Sequence, residues 1–344
     1  MRTVDRSGEQ VLHRRRLTVI RALPSRLLTG AHTRAVLSCA GVSDHELRGP
    51  LWSSDRQGLW HWTPQAPDAL NRVRRAAAAL PEAAALGGWA AAAALGAAEF
   101  DGESESGELL PVPLCLGRHQ RCRRVGPGVC WRSDLYDEVV DLGDLRVTSP
   151  ERTCFDLARR ADGLRAAVIE IETLLRYVRV DLQVVAQMLA DRRRWLGRPQ
   201  AANALRLAAV GAASKRETAF RLLWLLDAGL PEPEVNVEVT DLDGQLLGRV
   251  DLLAREAGLA GEYDGEYHSS AARRAADEVR VEGLVRAGLR VVRVTSPDLG
   301  PNRRRTAHRL QQSHREGLRR DRSKDRWMAQ PPPIERSLLG RTAG

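Results

Sequence analysis

Three acidic residues in the last third of the chain lie in segments whose apolar pattern is typical of strands, where charged side chains are uncommon. Asp251 lies in the apolar segment 249–252, and Glu262 and Asp264 lie two positions apart in the segment 261–265. The two-residue period of a strand puts the side chains of Glu262 and Asp264 on the same face. If a hairpin aligns the two segments, three carboxylates converge, and they repel one another unless a cation neutralises them.

Carboxylate oxygens are hard ligands of the kind that Mg²⁺ or Mn²⁺ binds. A cation held in this way polarises a phosphodiester and lowers the pKa of water, which is the chemistry of hydrolytic strand cleavage. We therefore predict a Mg²⁺ or Mn²⁺ site formed by Asp251, Glu262 and Asp264. The alternative is a solvated hairpin end, where aspartate before glycine is common. That alternative accounts for Asp264 before Gly265, but not for the other two acids.

Two further residues are candidates for assisting these acids. His268 follows the turn at Gly265 and is predicted to act as a general base or to support the leaving group, with a surface histidine that caps the next helix as the alternative. Glu217 is an acid on the preceding helix, and its competing role is the S-x-x-E capping box that it forms with Ser214. Both alternatives stay open at this point.

A basic helix follows the acids. Arg273, Arg274 and Arg280 are predicted to bind the phosphates of nucleic acid. Arg273 and Arg280 also flank Asp277 at helical spacings, so internal ion pairs are the competing use. Gly261, a strand residue without a side chain, predicts a close backbone approach at that point.

The elements that must position these residues follow from hydrophobic periodicity and turn signals. Asp243-Gly244, in the turn 241–245, is a strong hairpin signal. The predicted order is helix (217–228), three strands (234–240, 247–253 and 259–264), helix (271–287) and strand (289–295). This is an αβββαβ arrangement of mixed α and β structure.

Segment 248–299 (GRVDLLAREAGLAGEYDGEYHSSAARRAADEVRVEGLVRAGLRVVRVTSPDL) resembles the endonuclease-like domain related to very-short-patch-repair nucleases, within the PD-(D/E)XK superfamily. The resemblance implies a restriction-endonuclease-like core and metal ligands at Asp251, Glu262 and Asp264. It also implies assistance from His268 and Glu217. Asp264 stands where many members of the superfamily carry a lysine.

The chain before residue 206 is predicted to form a separate, helix-rich region. Short helices at 33–40 and 44–47 flank Gly41 and Ser43, which end one helix and cap the next, and a strand at 59–63 follows. This spacing indicates a winged helix or, equally, a small helical packing unit. Segments 33–35, 41–43, 88–91 and 145–159 (LRVTSPERTCFDLAR) resemble the type IV abortive-infection antitoxin family, which joins a winged helix to a larger mixed domain.

Length and composition predict the domain organisation and the kind of partner. The 344 residues suit several domains, predicted as a winged-helix-like module (1–66), a helix-rich, antitoxin-like region (67–205), the endonuclease-like domain (206–300) and a basic, partly disordered tail (301–344). The net charge of +9 fits an anionic partner such as DNA. The longest apolar run, 83–98, is mostly alanine and glycine, and no signal peptide is evident, so we expect a cytoplasmic protein without a membrane span.

Two functions follow as hypotheses. The first is a divalent-metal-dependent DNA endonuclease or nickase. The second is a non-enzymatic DNA-binding regulator or antitoxin whose nuclease fold is degenerate, and which acts with a partner toxin; the absent lysine favours this one. A repair protein is the other partner considered.

Overall fold

The computed structural model describes residues 27–54, 58–64, 68–78, 80–81, 83–104, 106–117, 128–132, 134–135, 137–209, 211, 213–265 and 271–329, without the side chains of 132 and 271–274. The fold is mixed α/β. The chain divides into two compact units, one of Met1–Asp156 with Tyr177–Asp181 and the other of Leu157–Arg176 with Leu182–Gly344. No helix in the described part is both long and apolar enough to cross a bilayer.

Unit 1 begins with a small sheet and two short helices. Ser43 caps the second helix in a full capping box with Glu46, and Gly41 adopts φ +85° in the turn between the helices, as the sequence predicts. The sheet order is β1-β3-β2. The elements are β1 (His32–Thr33), α1 (Arg34–Cys39), α2 (Asp44–Leu47), β2 (Trp52–Ser54) and β3 (Leu59–Trp62).

A second sheet follows in unit 1, in the order β6-β5-β4-β8-β7. The predicted strand-turn-strand at 141–148 is present as β7 and β8, and Ser149 Oγ accepts the Arg152 N–H at the start of the next helix. The elements are α3 (Ala69–Ala77), β4 (Ala85–Leu86), α4 (Gly88–Ala94), β5 (Val112–Leu116), β6 (Gly128–Arg132), β7 (Val139–Leu142), β8 (Leu145–Thr148) and α5 (Pro150–Arg160).

Unit 2 opens with helices and continues into a five-stranded sheet of order β12-β11-β10-β9-β13. The helix that begins after Ser214 ends in a π-helical turn, Leu223–Asp227. The elements are α6 (Gly163–Tyr177), α7 (Leu182–Asp191), α8 (Arg198–Leu207), α9 (Lys215–Leu222), β9 (Glu234–Thr240), β10 (Leu246–Ala254), β11 (Leu259–Tyr263), α10 (Ala271–Arg286), β12 (Arg290–Val294), α11 (Ser296–Leu299), α12 (Arg303–Leu318) and β13 (Met328–Ala329).

Helices cover both faces of this sheet. On the face covered by α9, which we call the α9 face, Phe220 and Trp224 pack with sheet residues and with Leu310 of α12. On the opposite face, the α10 face, Leu284 and neighbouring residues of α10 pack with Val250, Leu253 and Ala260 of the sheet. β11 pairs in parallel with β12 and antiparallel with β10, so α10 connects two parallel strands.

The segment after residue 300 differs from the sequence expectation of a basic tail. Residues Arg303–Leu318 form α12, which buries Thr306, Ala307 and Leu310 in unit 2, and Met328–Ala329 pairs with β9 as an edge strand. The high arginine content concealed this because the apolar residues of α12 are few and small. The last fifteen residues, 330–344, lie outside the described part of the chain.

Candidate functional site

An irregularity in the β9–β10 pair surrounds Asp251. The antiparallel register places Asp251 opposite Asn236, which has a left-handed backbone with φ +54°. Val250 packs on the α10 face, whereas Leu252, two positions later, packs on the α9 face. In a regular strand these two side chains would share a face. The alternation therefore breaks at Asp251, and its carboxylate lies where the two faces of the sheet meet.

Glu217 approaches from the first turn of α9. Its carboxylate accepts hydrogen bonds from the Ala213 N–H (2.8 Å), from Ser214 Oγ (3.2 Å) and from Asn236 Nδ2 (3.3 Å). Ser214 Oγ accepts the Glu217 N–H in return, so the predicted helix cap is present. The capping role and the site role are compatible, because Asn236 brings this carboxylate to the position opposite Asp251.

Asp251 is a carboxylate whose negative charge is poorly compensated. Burial raises its pKa to about 6, and the charges of Glu217 and Glu262 act in the same direction. The Tyr263 N–H, which donates to Asp251 Oδ2 (2.7 Å), and the more distant Arg280 act in the opposite direction but do not restore the ordinary value. Additional positive charge next to Asp251 would therefore be stabilising.

Glu262 is buried on the α10 face and is held by Arg280. The guanidinium donates from Nη1 to Glu262 Oε1 (2.6 Å) and from Nη2 to Oε2 (2.9 Å), a bidentate geometry. A Cβ at Gly248 would lie 3.0 Å from the Arg280 side chain, so this glycine leaves room for the guanidinium to reach the sheet. Hydrogen bonds from Arg280 to Glu262 and Asp277 raise the pKa of the arginine further, so it is a permanent cation.

The charge network continues through Asp277 to Asp264. Asp277 accepts from Arg280 Nη2 and, through its other oxygen, from Arg293 Nη2, both at 2.7 Å. Burial acts to raise the pKa of Asp277, but the two arginines outweigh it and the pKa is lowered. Arg293 also pairs with Asp264 at 2.8 Å. We call the chain Glu262–Arg280–Asp277–Arg293–Asp264 the arginine network.

The structure thus brings some of the predicted acids together and separates another. Asp251, Glu217 and Glu262 interact electrostatically, whereas Asp264 is an exposed residue paired with Arg293. His268 lies outside the described residues, and so do the side chains of Arg273 and Arg274, which belong to α10. Within the described residues, no group of three or more histidine, cysteine, aspartate or glutamate side chains has the geometry to hold a metal ion as it stands.

Three members of the site were not among the sequence candidates. Asn236 and Arg293 carry a polar or charged side chain inside an apolar strand pattern, which is the same signal that identified Asp251. Asp277 was considered only as a competing partner for Arg280, and the internal ion pair is the contact that Arg280 makes. β11 and β12 place Glu262 and Arg293 at paired positions, so Asp277 can bind both Arg293 and the Arg280 that pairs with Glu262.

Comparison with known proteins identifies no similar one: no family model, no curated protein and no solved structure matches the chain.

Proposed function

We propose that this protein is a divalent-metal-dependent DNA endonuclease or nickase, and that unit 2 has the restriction-endonuclease-like αβββαβ core. The observation that carries the proposal is Asp251, a half-buried carboxylate at a break in strand alternation, beside Glu217 and Glu262. Desolvated acids with a strongly perturbed pKa cluster at functional sites. Arg280 compensates the charge of Asp251 only in part, and a hard divalent cation would supply the remaining positive charge.

The donor set fits such a cation by its chemistry. Asp251 and Glu217 each offer carboxylate oxygens, and Glu262 offers lone pairs beyond those that Arg280 occupies. When bound there, Mg²⁺ or Mn²⁺ would polarise a phosphodiester and lower the pKa of water. Asp251 must be ionised to serve as a ligand, so cation affinity should rise with pH through about 6.

The residues of the chain have separable tasks in this proposal. The Tyr263 N–H fixes one oxygen of Asp251, and Asn236 fixes one oxygen of Glu217. Arg280 orients Glu262 and neutralises it until another cation shares the carboxylate. Asp277 holds both arginines in place, which makes it a positioning residue.

The arginine network also favours a second function, that of a DNA-binding regulator with a degenerate nuclease fold. Glu262 and Asp264 are each paired with an arginine, so neither of these two predicted ligands depends on a metal for a cationic partner. In unit 1, α1, α2 and the three-stranded sheet support the winged-helix hypothesis. However, Asp44 and Glu46 begin α2, and these acids oppose the approach of phosphate to that helix.

Incubation of supercoiled DNA with wild type and Glu262→Gln, each in Mg²⁺, Mn²⁺ or EDTA, tests the proposal. Glu282→Gln is the matched control, because Glu282 lies in the same unit in an exposed pair with Arg286. We expect cleavage by wild type and by Glu282→Gln in metal only. Loss of an acid that binds the metal should lower the cleavage rate of Glu262→Gln by on the order of 100-fold or more.

Two results would overturn the nuclease. Cleavage by Glu262→Gln at the rate of wild type would place the activity elsewhere. Absence of cleavage by all three proteins on supercoiled, mismatched and single-stranded DNA, while all three bind DNA equally, would establish the regulator instead.

A further inference from the structure

An exposed stripe of basic residues runs along α12. With about 100° of rotation per residue, six side chains fall within about 100° of one another around the helix axis. They are Arg304, Arg305, His308, Gln312, Arg315 and Arg319. We call the five basic members the basic stripe, and each of them is exposed. From Arg304 to Arg319 the stripe covers about 22 Å of helix.

The buried side of α12 fixes the direction in which the stripe faces. Thr306, Ala307, Leu310 and Gly317 are buried on the side opposite the stripe. A Cβ at Gly317 would lie 2.1 Å from the carbonyl oxygen of Ala257, so the helix backbone rests directly on the turn between β10 and β11. The helix cannot rotate about its axis without breaking these contacts, and the stripe therefore faces solvent.

The members of the stripe differ from three exposed arginines of unit 2 that have acidic partners. Arg255 pairs with Glu234, Arg286 with Glu282, and Arg290 with Glu316. No side chain of the basic stripe has a hydrogen bond or ion pair to any described residue, whereas the Gln312 side chain donates to Glu316 within the helix. Four arginine cations that share one surface repel one another, and an anionic partner removes that repulsion.

One residue of α12 outside the basic stripe connects this helix to the arginine network. Arg309 of α12 donates to the carbonyl oxygen of Arg293 (2.6 Å), and Arg293 is the member of the arginine network that binds Asp264. α12 is therefore in direct contact with β12, the edge strand that carries Arg293.

We propose that the basic stripe of α12 binds the phosphate backbone of duplex DNA. This inference rests on the proposed function for the identity of the partner. A length of about 22 Å of duplex carries roughly 13 phosphate charges, which matches an extended row of cations better than a single small anion does. A membrane surface is the weaker partner, because a helix that lies on a bilayer inserts an apolar face, and the apolar face of α12 is buried in the fold.

Duplex DNA binding measured in EDTA over a range of salt concentrations tests the inference. The protein carries Glu262→Gln throughout, so binding is separated from cleavage. The variant adds Arg304→Gln, Arg315→Gln and Arg319→Gln, and the control adds Arg255→Gln, Arg286→Gln and Arg290→Gln, which remove the same net charge. For the stripe variant, we expect the magnitude of the slope of log K against log salt to fall by about 3, and the affinity at about 0.1 M salt to fall on the order of 100-fold. For the control, we expect the magnitude of the slope to fall by less than about 1.

Equal losses of DNA affinity in the two triple variants would overturn the inference, because the effect would then come from net charge and not from the position of the arginines. An unchanged slope in the stripe variant would also overturn it. Anionic vesicles serve as the membrane probe. Binding of vesicles that is lost in the stripe variant, with DNA binding unchanged, would also overturn it. Failure of the nuclease assay together with the expected slopes would remove the proposed catalysis and leave the DNA-binding surface standing.

Discussion

Two of the Glu–Arg pairs of unit 2 have the same chemistry but different surroundings. In the first, Glu172 of α6 accepts from Arg221 and Thr218 of α9 and from the Ala209 N–H. Glu172 and Arg221 are each 2% exposed. In the second, Glu262 binds Arg280, whose side chain is 29% exposed. One pair is closed off from solvent, and the other opens toward it.

The two carboxylates differ in how fully the negative charge around them is compensated. Glu172 is surrounded by donors and has no acidic neighbour among its contacts, so its charge serves to join α6 to α9. Glu262 lies beside Asp251, whose pKa is raised to about 6. A buried ion pair whose carboxylate accepts from three donors indicates a structural role. An ion pair next to an acid with a raised pKa indicates a site that can bind a further cation.

The largest effect is expected from breaking the structural pair. Glu172→Ala leaves the buried Arg221 charge without its partner and should lower the free energy of unfolding by about 3–5 kcal/mol. Replacing both residues with leucine should recover most of that loss, because no lone buried charge remains. Urea unfolding measures both variants. A loss of the same size in Glu262→Ala would remove the distinction between the two pairs.

A smaller effect is expected at Gly261, where α9 packs against the sheet. A Cβ at this position would lie 2.8 Å from the ring of Phe220 and 3.3 Å from that of Trp224, so the close neighbours of this glycine are side chains rather than the backbone that the sequence predicted. Gly261→Ala should therefore cost about 2–3 kcal/mol through overpacking. Gly283 of α10 has open space around it, so Gly283→Ala should instead stabilise the protein by up to about 1 kcal/mol. Stabilisation by both substitutions in thermal unfolding would contradict this packing.

The smallest effect concerns the pH dependence of Asp251. Because its folded-state pKa is raised from 3.8 to about 6, its contribution to stability is fully present below about pH 4 and is lost as pH rises through 6. Asp251→Asn, which keeps an acceptor for the Tyr263 N–H, should therefore be more stable than wild type by about 1–2 kcal/mol at about pH 8. The advantage should vanish at about pH 4. A difference in stability between the two proteins that does not vary with pH would show that the charge of Asp251 is compensated in the folded protein.

Much of the local structure was determined by the sequence alone. Ser43 and Ser214 cap helices as predicted, and Asp243-Gly244 lies in the turn between β9 and β10. The three strands and the two helices that flank them occur in the predicted order. These features depend on hydrogen bonds and side-chain periodicity within a few residues, which a sequence displays directly.

Only the tertiary structure decided how the candidate acids are neutralised. Arg280 reaches Glu262 because α10 packs through Leu284 on the same face of the sheet and Gly248 leaves room for the side chain. Asp264 shares that side of the sheet but pairs with Arg293. Contacts between residues far apart in the chain depend on helix packing, which no local pattern encodes.

The same physical reason applies to Asp251 and to α12. The left-handed residue Asn236 on the neighbouring strand breaks the alternation that the sequence of β10 would predict, and burial by surrounding elements raises the pKa of Asp251. The arginine-rich segment after residue 300 forms a helix in unit 2 because the sheet supplies a surface for Ala307 and Leu310. The sequence determined which residues carry charge, and the packing of distant elements determined which of those charges are compensated.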